Sequence, residues 1–188
     1  MSERQIRVGI VGAGTNTQLR HIPGLQALAG VKIVSVCNRS RESSQKVARE
    51  YGIPKTYDDW RELVAAGDID AVVIGTWPNL HCPITLAALA ADKHVLCEAR
   101  MAMNAREAHK MFATADAKPH LVAQIVPSPL TLHLDSMIQK MLADAFLGQV
   151  LAVELRQGGS YLDIARLLSW RDDKELSGLN VMMMGIWL

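Results

Sequence analysis

The chain has 188 residues, 49% of them apolar, and a formal net charge of +1. That length holds one full domain with a real core and part of another. Near neutrality argues against nucleic acid as the main partner, because phosphate binding calls for a basic surplus. No apolar run approaches the ~18 residues that cross a bilayer.

The opening stretch "MSERQIRVGIVGAG" is not read as a cleaved leader, since its apolar run is short and no small-residue cleavage site follows. Residues 6–11 are β-branched and read as a strand buried on both faces. A helix is expected over 17–29, with Pro23 as an irregularity. Residues 32–37 form a second strand. The next helix has Ser40 as its N-cap and Gly52 as its stop. "KTY" is a short third strand, and Asp58 is expected to cap the helix in "DWRELVAAG". Residues 70–75 give a fourth strand, followed by a helix from about 83 to 91. "HVLC" gives a fifth. Asn104 and Glu107 then open a helix in the manner of a capping box, and "HLVAQIV" is a sixth strand. Beyond Pro129 a long helix is expected to reach Leu147 and stop at Gly148. Residues 150–157 alternate at period two, as the first strand of a different, antiparallel sheet does.

Apolar strands alternating with helices imply a parallel sheet covered on both faces. The predicted class is therefore α/β, a Rossmann-type doubly wound sheet, followed by the start of an α+β antiparallel-sheet domain. The expected division is a dinucleotide-binding domain over 1–126. Residues 127–188 are then a connecting helix and a truncated start of a substrate or oligomerisation domain. Three cysteines at unrelated spacings, Cys37, Cys82 and Cys97, suggest a reducing compartment, the cytoplasm, without a disulfide framework.

Gly12-Ala13-Gly14 follows the first strand and precedes a helix. The first glycine permits a tight turn and the second lets backbone approach a pyrophosphate. The helix N-terminus offers that anion N–H groups and a positive dipole end. The third position of the pattern falls on Thr17, whose hydroxyl either crowds the helix against the strand or caps the helix. The second strand ends in Asn38-Arg39-Ser40. An acid at its end would bond both ribose hydroxyls and repel a 2′-phosphate. Asn38 has no charge, and Arg39 and Ser40 suit a 2′-phosphate. NADP is expected over NAD. A solvated turn with a capping serine is the plainer reading.

The stretches "VGIVGAG", "HIPGL", "VSVCNRS", "AREYGIPKTYDDWRELVAAGDIDAVVIGT", "WPNLH", "LAALAADKHVLCE" and "LGQVLAVEL" resemble the N-terminal half of the glucose–fructose oxidoreductase / inositol dehydrogenase family (Gfo/Idh/MocA). The resemblance implies an NAD(P)-dependent oxidoreductase moving hydride to or from a sugar- or polyol-like substrate, in a homo-oligomer; no membrane partner is expected, since no apolar run is long enough to span a membrane. It implies that Gly12, Gly14, Thr15 and Asn16 meet the pyrophosphate and that Asn38 and Arg39 meet the adenosine ribose. Thr76, Trp77 and His81 would line the nicotinamide side, and Glu98 would sit near the nicotinamide ribose. Two departures stand out. The family's Glu-Lys-Pro is Glu98-Ala99-Arg100 here, so Glu98 keeps its place while the catalytic lysine is replaced by Ala99. The family's later acid and histidine align with Met183 and Trp187. A second reading follows: a dinucleotide-binding protein without turnover, acting as a sensor or partner subunit.

Other reactive residues have plain readings. Cys97 is a buried thiol, and His81 with Cys82 is a poor metal pair. His94 is a packed strand residue, and His109 and Lys110 lie on a solvated helix face. Tyr161 and Asp163 belong to a loop or reach a substrate, and Arg171 makes an ion pair or binds a ligand.

Overall fold

A computed structural model describes residues 5–126, 134–152, 154 and 170–178. Its centre is one six-stranded sheet in the order β3-β2-β1-β4-β5-β6. The strands are β1 (Ile6–Val11), β2 (Val31–Cys37), β3 (Lys55–Tyr57), β4 (Ala71–Ile74), β5 (His94–Cys97) and β6 (Ala123–Ile125). Every neighbouring pair is parallel. This is the doubly wound dinucleotide-fold order, and the direction of strand addition reverses between β1 and β4. The chain therefore has the Rossmann-type α/β fold.

The sheet forms because its four central strands, β2, β1, β4 and β5, are apolar on both faces, and helices cover them. Val8, Ile10, Ile33, Val36 and Val73 pack with Ile22, Val47 and Ile53 on one side. Val11, Val72, Ile74, Val95 and Cys97 pack with Leu63, Ile84, Leu89 and Met111 on the other. At the sheet's opposite edge from the strand ends, Arg7 clamps Asp70 through two guanidinium contacts of 2.9 and 2.7 Å and a backbone N–H of 2.8 Å. That joins the starts of β1 and β4.

The helices are α1 (Ile22–Gln26), α2 (Arg41–Tyr51), α3 (Trp60–Ala65), α4 (His81–Ala90), α5 (Ala105–Asp116), α6 (Asp135–Ala143) and α7 (Lys174–Ser177). Ser40 caps α2 by accepting from the Ser43 N–H, and Gly52 ends it at φ 67°. Several expectations shift. The helix after the glycine turn opens as a π-turn over Thr17–His21, where the Ile22 N–H reaches back to the Thr17 carbonyl. Pro23 explains this locally: it has no N–H for the α-type ladder. Asp59, not Asp58, caps α3, one residue further along. The Glu107 carboxylate accepts from the Met103 N–H, one residue earlier than a capping box requires, while Asn104 accepts from Glu107 N–H as expected. α4 begins at His81 rather than near 83, after a single 3-10 turn over Pro78–Leu80.

Contacts divide the chain into two units, 1–127 with 169–188, and 128–168. Residues 170–178 group with the sheet's unit. In the second unit α6 ends at Ala143, with Asp144 as C-cap, short of the expected Leu147. Of the expected strand over 150–157, most lies outside the described residues.

Candidate functional site

The register brings the site together. Val11 pairs with Cys37 and with Ile74, and Ile74 pairs with Cys97. The next residue in each strand, Gly12, Asn38, Gly75 and Glu98, therefore lies at one carboxyl edge of the sheet. That edge, at the reversal point, is where open α/β sheets bind ligands.

Gly12 turns with φ +86°, and a Cβ there would stand 2.6 Å from the Thr76 nitrogen. The turn and the β4 loop are packed backbone to backbone, which only glycine allows. Thr17, at the third position of the glycine pattern, is fully buried. Its hydroxyl donates to the Gly12 carbonyl at 3.1 Å. Space for it comes from Gly75, where a Cβ would collide with Thr17 Oγ1. The small residue demanded by helix–strand contact has moved from the helix to β4. A Cβ at Gly14 meets nothing, so that face of the turn is open. Behind it the first-turn N–H groups of the helix lack helical partners.

Asn38 braces this turn. Its Oδ1 accepts from the Ala13 N–H at 2.6 Å and its Nδ2 donates to Ser43 Oγ at 3.0 Å. Ser40 Oγ is engaged by the Ser43 N–H at 3.3 Å. Arg39 is exposed, with its guanidinium 5.5 Å from the Trp77 ring centre. Trp77 stacks on Trp170 at 6.3 Å, with planes 19° apart, and Arg171 lies over the Trp170 ring at 4.5 Å. Trp77 thus stands beside Arg39. Trp170-Arg171 fits the family pattern in the sequence, but no local signal pairs Trp170 with Trp77.

His81 is fully buried. Its Nδ1 lies 2.7 Å from the Arg100 carbonyl and its Nε2 3.0 Å from the Thr76 carbonyl. Burial pushes its imidazole below the ordinary value against the pull of those carbonyls. It ties the β4 and β5 loops together. His94 accepts from the Val122 N–H at 2.9 Å, a packed strand residue as expected. Cys97 is buried, which pushes its thiol up to about 12, so it is inert. Among the described residues no metal-binding cluster occurs.

Glu98 is the polar centre. Oε1 accepts from Asn16 Nδ2 and lies 2.5 Å from His21 Nε2, and Oε2 accepts from the Ala99 N–H at 3.0 Å. The side chains of Glu98 and His21 are only 16% and 15% exposed. Burial alone would raise the Glu98 carboxyl, but His21, the Ala99 N–H and Asn16 outweigh it and hold it below its ordinary 4.5. A depressed carboxyl stabilises the fold above its unfolded value and loses that contribution as pH falls through the folded one. Glu98→Gln should therefore flatten the fall of the urea midpoint below about pH 4.5. An unchanged acid limb would contradict the contact network. Glu98 is legible in the sequence, and His21 is not. The "HIPGL" stretch held the only signal, a histidine one helical turn beyond Asn16.

The class is thus defined as a Rossmann-type dinucleotide-binding domain, with the glycine turn, the bracing Asn38 and the Glu98 carboxylate at one switch point. Residues 6–126 match the oxidoreductase family with NAD-binding Rossmann fold, Gfo/Idh/MocA, and the chain belongs to that family. It is 39% identical over 109 residues to 1,5-anhydro-D-fructose reductase of Ensifer adhaerens, covering 58% of this chain and 32% of that protein. It is 40% identical over 102 residues to inositol 2-dehydrogenase/D-chiro-inositol 3-dehydrogenase of Shouchella clausii, covering 53% and 29%. Biliverdin reductase from Synechocystis, solved with biliverdin and NADP+, superposes with TM-score 0.64 at 29% identity, covering 73% of this chain and 43% of that one. The chain spans about half the length, or less, of the curated relatives it matches. No helix among the described residues is long and apolar enough to cross a membrane.

Proposed function

We propose that the chain is the cofactor-binding half of an NADP(H)-dependent oxidoreductase acting on a sugar- or polyol-like substrate. One observation carries this reading: an open glycine turn, an uncharged Asn38 beside an exposed Arg39, and the Glu98 carboxylate share one strand-end crevice. The open face at Gly14 and the first-turn N–H groups of Thr15 and Asn16 fit a pyrophosphate. Arg39, with Ser40, is placed for a 2′-phosphate, and Asn38 holds the turn in shape. Thr76 and Trp77 form the adjoining wall, and His81 fixes Thr76 from behind. Glu98 is suited to ribose hydroxyls at the nicotinamide end. The bound nicotinamide supplies the hydride chemistry. The substrate class follows the relatives, which act on a fructose derivative and on inositols by name. We assign residues 127–188 to a connecting helix and the start of a substrate or oligomerisation domain, and expect a homo-oligomer in the cytoplasm.

A second reading, a dinucleotide-binding protein without turnover, draws on Ala99. Alanine there offers no proton-transfer group, whereas the family has lysine. Met183, Trp187, Tyr161 and Asp163 lie outside the described residues. The two readings separate in one assay. NADPH affinity is measured by fluorescence, and turnover with a polyol and ketose panel is followed at the nicotinamide absorbance. Binding with turnover supports the first reading, and binding with background turnover supports the second.

A further inference from the structure

The proposed reaction needs a group to take the hydroxyl proton as hydride leaves carbon. Among the described residues at the carboxyl edge, most titratable groups are unsuited. Arg100 stays protonated. His81 is fully buried with both ring nitrogens facing carbonyls. Glu98, held low by its donors, is a weak base. His21 remains. Its Nε2 is 2.5 Å from Glu98 Oε1, so a neutral ring carries its proton on Nε2 and leaves Nδ1 unprotonated. A carboxylate behind one imidazole nitrogen fixes the tautomer and stabilises the imidazolium that forms when the other accepts a proton. Asn16, on the glycine loop, and the Ala99 N–H hold that carboxylate in place. The neutral Asn16 donates to the Glu98 carboxylate, and His81 and the inert Cys97 feel that carboxylate's charge. His21 also ends the π-turn Thr17–His21, a rare feature found often at functional sites.

We propose that the His21–Glu98 pair is the proton-handling centre of this crevice, replacing the lysine that Ala99 lacks. The inference rests on the oxidoreductase reading above. When bound, the oxidised nicotinamide dinucleotide would supply the acceptor for the hydride that leaves the alcohol carbon. The O–H bond breaks, its proton goes to His21 Nδ1, and its electron pair forms the carbonyl. Glu98 balances the new imidazolium. In ketone reduction the imidazolium returns the proton to the carbonyl oxygen.

The test uses the full chain, with His21→Gln and Glu98→Gln. In the cofactor-free protein, nitrogen-15 NMR should show His21 as the Nε2–H tautomer, and Glu98→Gln should mix the tautomers. An Nδ1–H tautomer in the wild type would overturn the proposal. In turnover, His21→Gln should lose about a hundredfold to ten-thousandfold in kcat, with NADPH affinity within about twofold and the rising limb of the pH profile gone. A purely structural brace would lower stability and leave that limb intact, which overturns the proposal. If the wild type turns over and His21→Gln keeps its rate, this inference falls alone. If the wild type binds NADPH and turns over no alcohol, this inference and the oxidoreductase reading fall together.

Discussion

Gly12→Ala is expected to lower the melting temperature by about 5–10 °C and to remove measurable NADPH binding. The turn holds φ +86° at Gly12, and a Cβ would sit 2.6 Å from the Thr76 nitrogen and 2.8 Å from its Cα. Both atoms are backbone, so no side chain can swing aside. A non-glycine residue at such φ costs about 1–3 kcal/mol before any clash. At roughly 2–4 °C per kcal/mol for a chain of this size, the melting shift follows. The β1 and β4 loops would separate, and those loops form the crevice. Gly14→Ala separates folding from binding. A Cβ there meets nothing, so the melting temperature should hold while NADPH affinity falls. Unchanged affinity in Gly14→Ala would mean that no anion approaches that face.

Arg39→Ala is expected to weaken NADPH about tenfold while NADH changes little. A charge-assisted contact from an exposed side chain to a phosphate contributes about 1.5 kcal/mol, which is about tenfold in affinity. The guanidinium is positioned by the Trp77 ring at 5.5 Å, so tryptophan fluorescence should respond both to the substitution and to NADPH. Titrations with the two cofactors against wild type and variant decide it. Equal losses for NADH and NADPH would contradict the assignment of a 2′-phosphate to Arg39.

The strand ends were legible because each buried strand stops at a turn residue: Gly12 after β1, Asn38 after β2, Gly75 after β4, Glu98 after β5. The caps at Ser40, Gly52 and Asn104 were legible because capping is local chemistry. What was not legible depends on partners distant in the chain. Thr17 looked like a crowded third position, and its room comes from Gly75 on another strand. The pairing of His21 with Glu98 joins a helix to β5 across the sheet. The Trp77–Trp170 stack joins segments that no period or motif connects. That both ring nitrogens of His81 meet carbonyls, of Arg100 and of Thr76, was not legible either. The resemblance named the family and Glu98, and it left out the histidine that faces Glu98.

The central claim is that this crevice binds NADP(H). The measurement is isothermal titration of the chain with NADPH and, separately, NADH. One NADPH site per chain is expected, with Kd on the order of micromolar, weaker NADH, and loss of NADPH binding in Gly12→Ala. No heat from either cofactor at millimolar concentration, with the wild type folded, would contradict it.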